Sequence, residues 1–97
     1  MLGLFKSKVF DFNEYLVKNL GYSIKDEYPQ GSTFVNGEIE ISVYKLKKTR
    51  GYDIVSVDLG SYNIASLKFI PKSKTMVDIM LNQIVYELRE LQEKEAV

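Results

Sequence analysis

Seven basic side chains fall between positions 45 and 74: Lys45, Lys47, Lys48 and Arg50, then Lys68, Lys72 and Lys74. Tyr44, Tyr52 and Tyr62 are interleaved with them. Lysine neutralises phosphate and tyrosine stacks on bases, so this block is the first candidate for binding chemistry. Its structural alternative is a lysine-rich hairpin tip that keeps the chain soluble and guards a strand edge. The carboxylates Glu38, Glu40 and Asp58 fall on one predicted strand face, where oxygen ligands suit a hard divalent cation. Their spacing matches no recognised metal loop, and no metal is expected. Ser73 lies beside Lys72 and Lys74, but adjacent residues in a loop seldom aim at one another as a nucleophile–base pair.

The 97-residue chain has no histidine and no cysteine. The usual general base at neutral pH is therefore missing, as are thiolate ligands and disulfides. No glycine-rich phosphate loop occurs. No acid, base or metal cluster is placed for catalysis, so a non-enzymatic protein without cofactors is expected. Net charge is zero but unevenly spread. Positions 1–40 hold four lysines against six carboxylates, 41–74 seven basic residues against two aspartates, and 75–97 two basic residues against five carboxylates. Dedicated nucleic-acid binders are usually basic overall, which weighs against that function.

Apolar residues make up 45% and charged residues 27%, an ordinary globular composition. One domain is expected at this length. No apolar run is long enough to span a bilayer, and the start of the chain reads neither as a signal peptide nor as a myristoylation site. A soluble, cytoplasmic protein is the default expectation. Lysine outnumbers arginine eleven to two, a bias that fits an AT-rich coding sequence such as that of a phage or mobile element.

The elements that must hold these residues follow from periodicity. A helix is predicted over 11–20, with Asp11 as N-cap, Glu14 three residues later and Gly21 at its end. Strands are predicted over 22–28, 38–46, 52–59 and 62–70. Between the first two, Thr33, Phe34 and Val35 lead to Asn36 and Gly37, which read either as a hairpin or as a bulge in one long strand. Positions 47–51 form a basic turn, Gly60 and Ser61 a tight one, and Pro71 ends the sheet. Val77, Leu81, Ile84, Leu88 and Leu91 share one face of a helix over 75–95, with Thr75 and Asp78 in capping-box spacing.

The predicted fold is thus an α+β domain of order α-β-β-β-β-α: a four-stranded antiparallel meander with a short first helix and a long last helix covering one face. Ile39, Ile41, Val43, Val55, Val57, Leu59, Ala65, Leu67 and Phe69 point inward. Tyr44, Ile54 and Ile64 stand on the open face, a docking surface or ordinary exposed surface. The first half of the last helix is apolar nearly all round and reads as sandwiched. Its second half overhangs the sheet. Leu88 and Leu91 there either cap the core beside Leu4 and Phe5 or contact a second copy, giving a homodimer.

The helix–sheet–helix order resembles that of double-stranded-RNA-binding domains, whose second helix starts with lysines as Lys72 and Lys74 do here. The sequence departs from that family by an extra strand, by lacking a Gly-Pro-x-His loop and by lacking a basic run inside the last helix. The favoured function is a protein-binding domain acting as regulator, adaptor or inhibitor. It would use Tyr44, Lys45, Lys47, Lys48, Arg50, Tyr52, Ile54 and Ile64. Nucleic-acid binding through the same basic 45–52 hairpin is the alternative.

Overall fold

The computed structural model describes residues 9–96. In chain order the elements are α1 (Phe12–Lys18), β1 (Ser23–Tyr28), β2 (Gly31–Asn36), β3 (Ile39–Tyr44), α2 (Lys47–Arg50), β4 (Ile54–Leu59), β5 (Tyr62–Leu67) and α3 (Lys74–Ala96). The fold is α+β: a short helix, an antiparallel sheet and a long last helix. The five strands form one sheet in sequential order β1-β2-β3-β4-β5. Five strands replace the expected four because the Gly37 turn is a hairpin, not a bulge. Asn36 pairs with Ile39, so Gly37 and Glu38 form the two-residue loop, and Gly37 adopts φ +63°. Only a residue tolerant of left-handed φ fits there, and glycine does so without steric cost. Gly60 and Ser61 make the equivalent β4–β5 loop, as expected from the sequence.

The inward row is set by register. Phe34, Ile41, Val57 and Ala65 lie opposite one another across β2 to β5, with Val43, Val55 and Leu67 in the adjacent row. Phe34, Ile41, Val43, Val55 and Val57 are at most 1% exposed. Phe12 and Leu16 from α1, and Val77, Met80 and Ile84 from α3, join them in one core cluster. Both helices therefore seal the same side of the sheet. Asp11 caps α1, its Oδ1 accepting from the Glu14 backbone N–H at 3.2 Å.

Three local expectations are corrected. The last strand stops at Leu67 rather than Ile70, and Phe69, expected inward, is 45% exposed. The N-cap of α3 is Ser73 rather than Thr75. Its Oγ accepts from the Met76 N–H at 3.2 Å and its carbonyl from the Val77 N–H at 3.1 Å. A serine side chain caps as well as a threonine, and Ser73 follows the buried Pro71 by two residues. The first half of α3 is not sandwiched: a single sheet covers one side of it, leaving Ile79 64% and Val85 47% exposed. Leu4 and Phe5 lie outside the described residues.

Tyr22 is 8% exposed, and burial raises its phenol pKa above the usual 10.0. A group whose pKa is raised by folding stabilises the fold fully below the unfolded value. That contribution is lost as pH rises through the folded one. Urea midpoints followed from neutral to alkaline pH should therefore fall less steeply above pH ~10 for Tyr22→Phe than for the unmodified protein.

Candidate partner-binding surface

The ends of β1, β3 and β5 and the starts of β2, β4 and α3 all meet at one end of the sheet, because neighbouring strands are antiparallel. Both basic segments sit in connections at that end. Lys45, Lys47, Lys48 and Arg50 belong to the β3–β4 link, Lys68 and Lys72 to the β5–α3 link, and Lys74 is the first residue of α3. All seven are exposed.

The β3–β4 link is not the plain turn expected but a single helical turn, α2. The Lys45 N–H donates to the Gln30 carbonyl at 2.7 Å, which ties the link to the β1–β2 turn. Asp53 closes α2 from behind, its Oδ1 accepting from the Lys47 N–H at 2.9 Å. Gly51 ends it with φ +84° and an N–H donated to the Lys47 carbonyl at 3.1 Å. Backbone bonds thus hold the turn, and its three basic side chains are left to the solvent. A groove of about 350 Å³ separates this link from the start of α1; Lys45 and Lys72 line it together with Asp11 and Asp53.

Two ion pairs occur among the described residues, Lys18–Glu14 at 3.8 Å and Lys25–Glu40. Neither uses a side chain of the basic end. The hydrogen bond and charge of Glu40 raise the Lys25 pKa, so that lysine stays charged. The other end of the molecule has the opposite sign. Glu38 lies in the β2–β3 turn, and Glu87, Glu90 and Glu93 lie in the second half of α3.

The aromatic residues beside the basic end already have partners. Lys68 Nζ lies 5.3 Å from the centre of the Tyr52 ring, a cation–π arrangement. Tyr44 stacks on Tyr28, with centroids 6.3 Å apart and planes at 24°. Gly31 sits between those strands under the Tyr44 ring. A Cβ built there would meet Tyr44 Cδ1 at 2.6 Å and collide with the Val43 carbonyl oxygen. Glycine is therefore required for the ring to lie flat on its neighbour. Gly31→Ala is expected to cost about 1–3 kcal/mol, read from urea unfolding, as overpacking against backbone does. Tyr62 lies at the opposite, acidic end.

Ile54 pairs with Tyr44 across β3 and β4, so Tyr44, Lys45, Lys47, Lys48, Arg50, Tyr52 and Ile54 share one end of the sheet. Ile64 does not join them. A bulge shifts the β4–β5 register between Val57 and Asp58, leaving Ile64 as the unpaired extra residue. One inserted residue turns a side chain to the other face. Ile64 is 8% exposed within the core instead of standing on the open side.

Apart from Val35, opposite Glu40, the rest of the open face is polar, and its side chains bond one another. Thr33, Ser42, Ser56 and Ser66 stand opposite one another along β2 to β5. Thr33 Oγ1 and Ser42 Oγ are 3.3 Å apart, and the Asn63 amide donates to Ser56 Oγ at 3.0 Å and to Asp58 Oδ1 at 2.9 Å. Glu40 and Asp58 stand opposite one another across β3 and β4, but Glu40 bonds Lys25, Asp58 accepts from Asn63, and Glu38 lies apart in the β2–β3 turn, so only two of the three carboxylates meet. Among the described residues no group of three acidic side chains is placed to hold a metal ion. Ser73 Oγ is occupied as the α3 cap.

Leu88 and Leu91 are half-buried. They line a groove of about 560 Å³ with Ile39, Leu59 and Tyr62, between α3 and the acidic end of the sheet. They face the molecule's own sheet, while the exposed apolar side chains of α3 are Ile79, Val85 and Tyr86. Sequence reasoning missed that outer face. The signal was the seven-residue spacing of Ile79 and Tyr86, masked by apolar neighbours. No described helix is long and apolar enough to cross a membrane. Comparison with protein-family models, curated proteins and solved structures finds no match for this chain.

Proposed function

We propose that this chain is a non-enzymatic protein-binding domain, a regulator, adaptor or inhibitor, that docks through its basic end onto an acidic patch of a partner protein. The observation that carries this is the meeting of seven exposed basic side chains at one end, none of them engaged in an ion pair among the described residues. Opposite potentials across an interface speed encounter and fix orientation. Tyr44 and Ile54, half-buried beside the cluster, supply an apolar patch that a protein surface can cover.

Nucleic acid is the weaker reading. Tyr52 carries Lys68 and Tyr44 carries Tyr28, so the ring faces nearest the lysines are already occupied. Stacking on bases would have to displace those contacts. The acidic end, at the far side of the same sheet, also repels a polyanion longer than the basic footprint.

The two readings separate in one experiment. Fluorescence anisotropy at low salt compares a glutamate-rich peptide with single-stranded RNA, duplex RNA and duplex DNA of matched charge. The peptide should bind with an affinity that falls as salt is raised. Tighter binding to any of the nucleic acids would favour the alternative. Failure to bind the peptide even at low salt would remove the proposed function.

A further inference from the structure

We infer that α3 pairs with the α3 of a second copy, antiparallel, through the outer face that carries Ile79 and Tyr86. Going round this helix, Val77, Met80, Ile84 and Leu88 turn toward the sheet. Ile79 and Tyr86, 64% and 58% exposed, stand on the far side. They are seven residues apart, two helical turns or about 10.5 Å along the axis. Asn82 and Gln83 lie midway between them and are exposed. A two-fold axis through that midpoint brings Ile79 of each copy against Tyr86 of the other, the reciprocal contact of an isologous interface.

Charge selects the antiparallel arrangement. The N-terminus of a helix carries partial positive charge and its C-terminus partial negative charge. In α3 the net side-chain charge follows that polarity, although Asp78 near the start and Arg89 and Lys94 in the second half partly offset it. Lys72 precedes the start, Lys74 opens the helix, the first turn has no acidic residue, and Glu87, Glu90 and Glu93 outnumber Arg89 and Lys94 in the second half. This order works against an isolated helix. Beside an antiparallel partner it becomes complementary. The two-fold axis that joins Ile79 to Tyr86 also sets Thr75 by Glu90 and places the basic start of one helix near Glu93 of the other. A parallel pair would set like charges together. The two basic ends would then point away from each other, so the dimer would present two copies of the Lys45–Arg50 part of the proposed docking end.

The chain contains no cysteine, which makes the register open to cross-linking. Thr75→Cys and Glu90→Cys proteins, mixed under mild oxidation, should form a heterodimeric disulfide, whereas each alone should not. A disulfide requires Cα atoms within roughly 7 Å, so the reaction reads the register directly. Sedimentation equilibrium of the unmodified protein should show a mass rising from 11.2 kDa toward twice that value with concentration. Tyr86→Glu should remain monomeric with an unchanged circular-dichroism spectrum. Charge-swapped proteins give a second route. Lys72→Glu with Lys74→Glu, and Glu90→Lys with Glu93→Lys, should each self-associate at least tenfold more weakly than when mixed. The inference is overturned by a protein that stays monomeric throughout, by self-linking of Thr75→Cys alone, or by a dimer indifferent to Tyr86→Glu but lost in Leu88→Lys.

Discussion

Replacing Lys47, Lys48 and Arg50 together with glutamate is expected to weaken binding to an acidic partner surface by at least about 100-fold at low salt. A unit charge pair about 4 Å apart in water is worth ~1 kcal/mol. Losing three attractions of that order gives ~3 kcal/mol, and each ~1.4 kcal/mol is tenfold in affinity, so about 100-fold is the lower end, to which the repulsion by the three glutamates adds. The three side chains are exposed and belong to α2, whose hydrogen bonds come from Asp53, Gly51 and Leu46 backbone and side-chain groups that the substitutions leave in place. The fold should therefore survive, with a circular-dichroism spectrum and urea midpoint close to those of the unmodified protein. Raising the salt should narrow the difference between the two proteins, because the Debye length shrinks to ~3 Å at 1 M. A loss of affinity that persists at high salt would point instead to a disrupted surface.

Phe34→Ala is expected to produce the largest loss of stability from a single substitution, about 3–5 kcal/mol by urea unfolding. Phe34 is 1% exposed and stands on β2 opposite Ile41 and Ile24. It belongs to the cluster that joins α1 to the sheet through Phe12 and Leu16. Its removal leaves a cavity that one short helix and a paired sheet cannot close by small shifts. A domain of this size is stabilised by roughly 5–15 kcal/mol in total. The loss is thus a large share of the total, and the variant's urea midpoint and melting temperature should both fall well below those of the unmodified protein. A loss below ~1 kcal/mol would mean that β2 does not organise the core as described.

Much of the fold could be read from the sequence because the strongest patterns were long or chemically sharp. Alternation across β3 and β4 placed Ile41, Val43, Val55 and Val57 correctly inward. The 3.6-residue period of α3 identified Val77 and Ile84, and Asp11 marked the start of α1. The errors have physical causes. β2 contains Gly31, Ser32 and Asn36, and only Thr33 and Phe34 are buried, so it lacks the apolar alternation of a central strand. Its only advertisement was the glycine turn that follows it.

Ile64 was misplaced because a bulge is a property of two paired strands and leaves no mark in one. The sequence reads the first half of α3 as sandwiched because composition cannot say that the fold has only one sheet to cover it. Of the candidate surface, the basic residues were named from the sequence. That the 45–50 and 68–74 segments share one end depended on the number and direction of the strands. The occupation of Tyr44 by Tyr28 and of Tyr52 by Lys68 depended on geometry alone.

The central claim is that this one end of the sheet does the binding. It is tested most directly by following backbone amide NMR signals of isotope-labelled protein while a glutamate-rich peptide is added. Shifts should concentrate at Lys45–Ile54 and Lys68–Lys74, leaving the Thr33–Ser42–Ser56–Ser66 row and the Leu88–Leu91 groove unmoved. Shifts centred on that row or that groove, or spread evenly over the molecule, would contradict it.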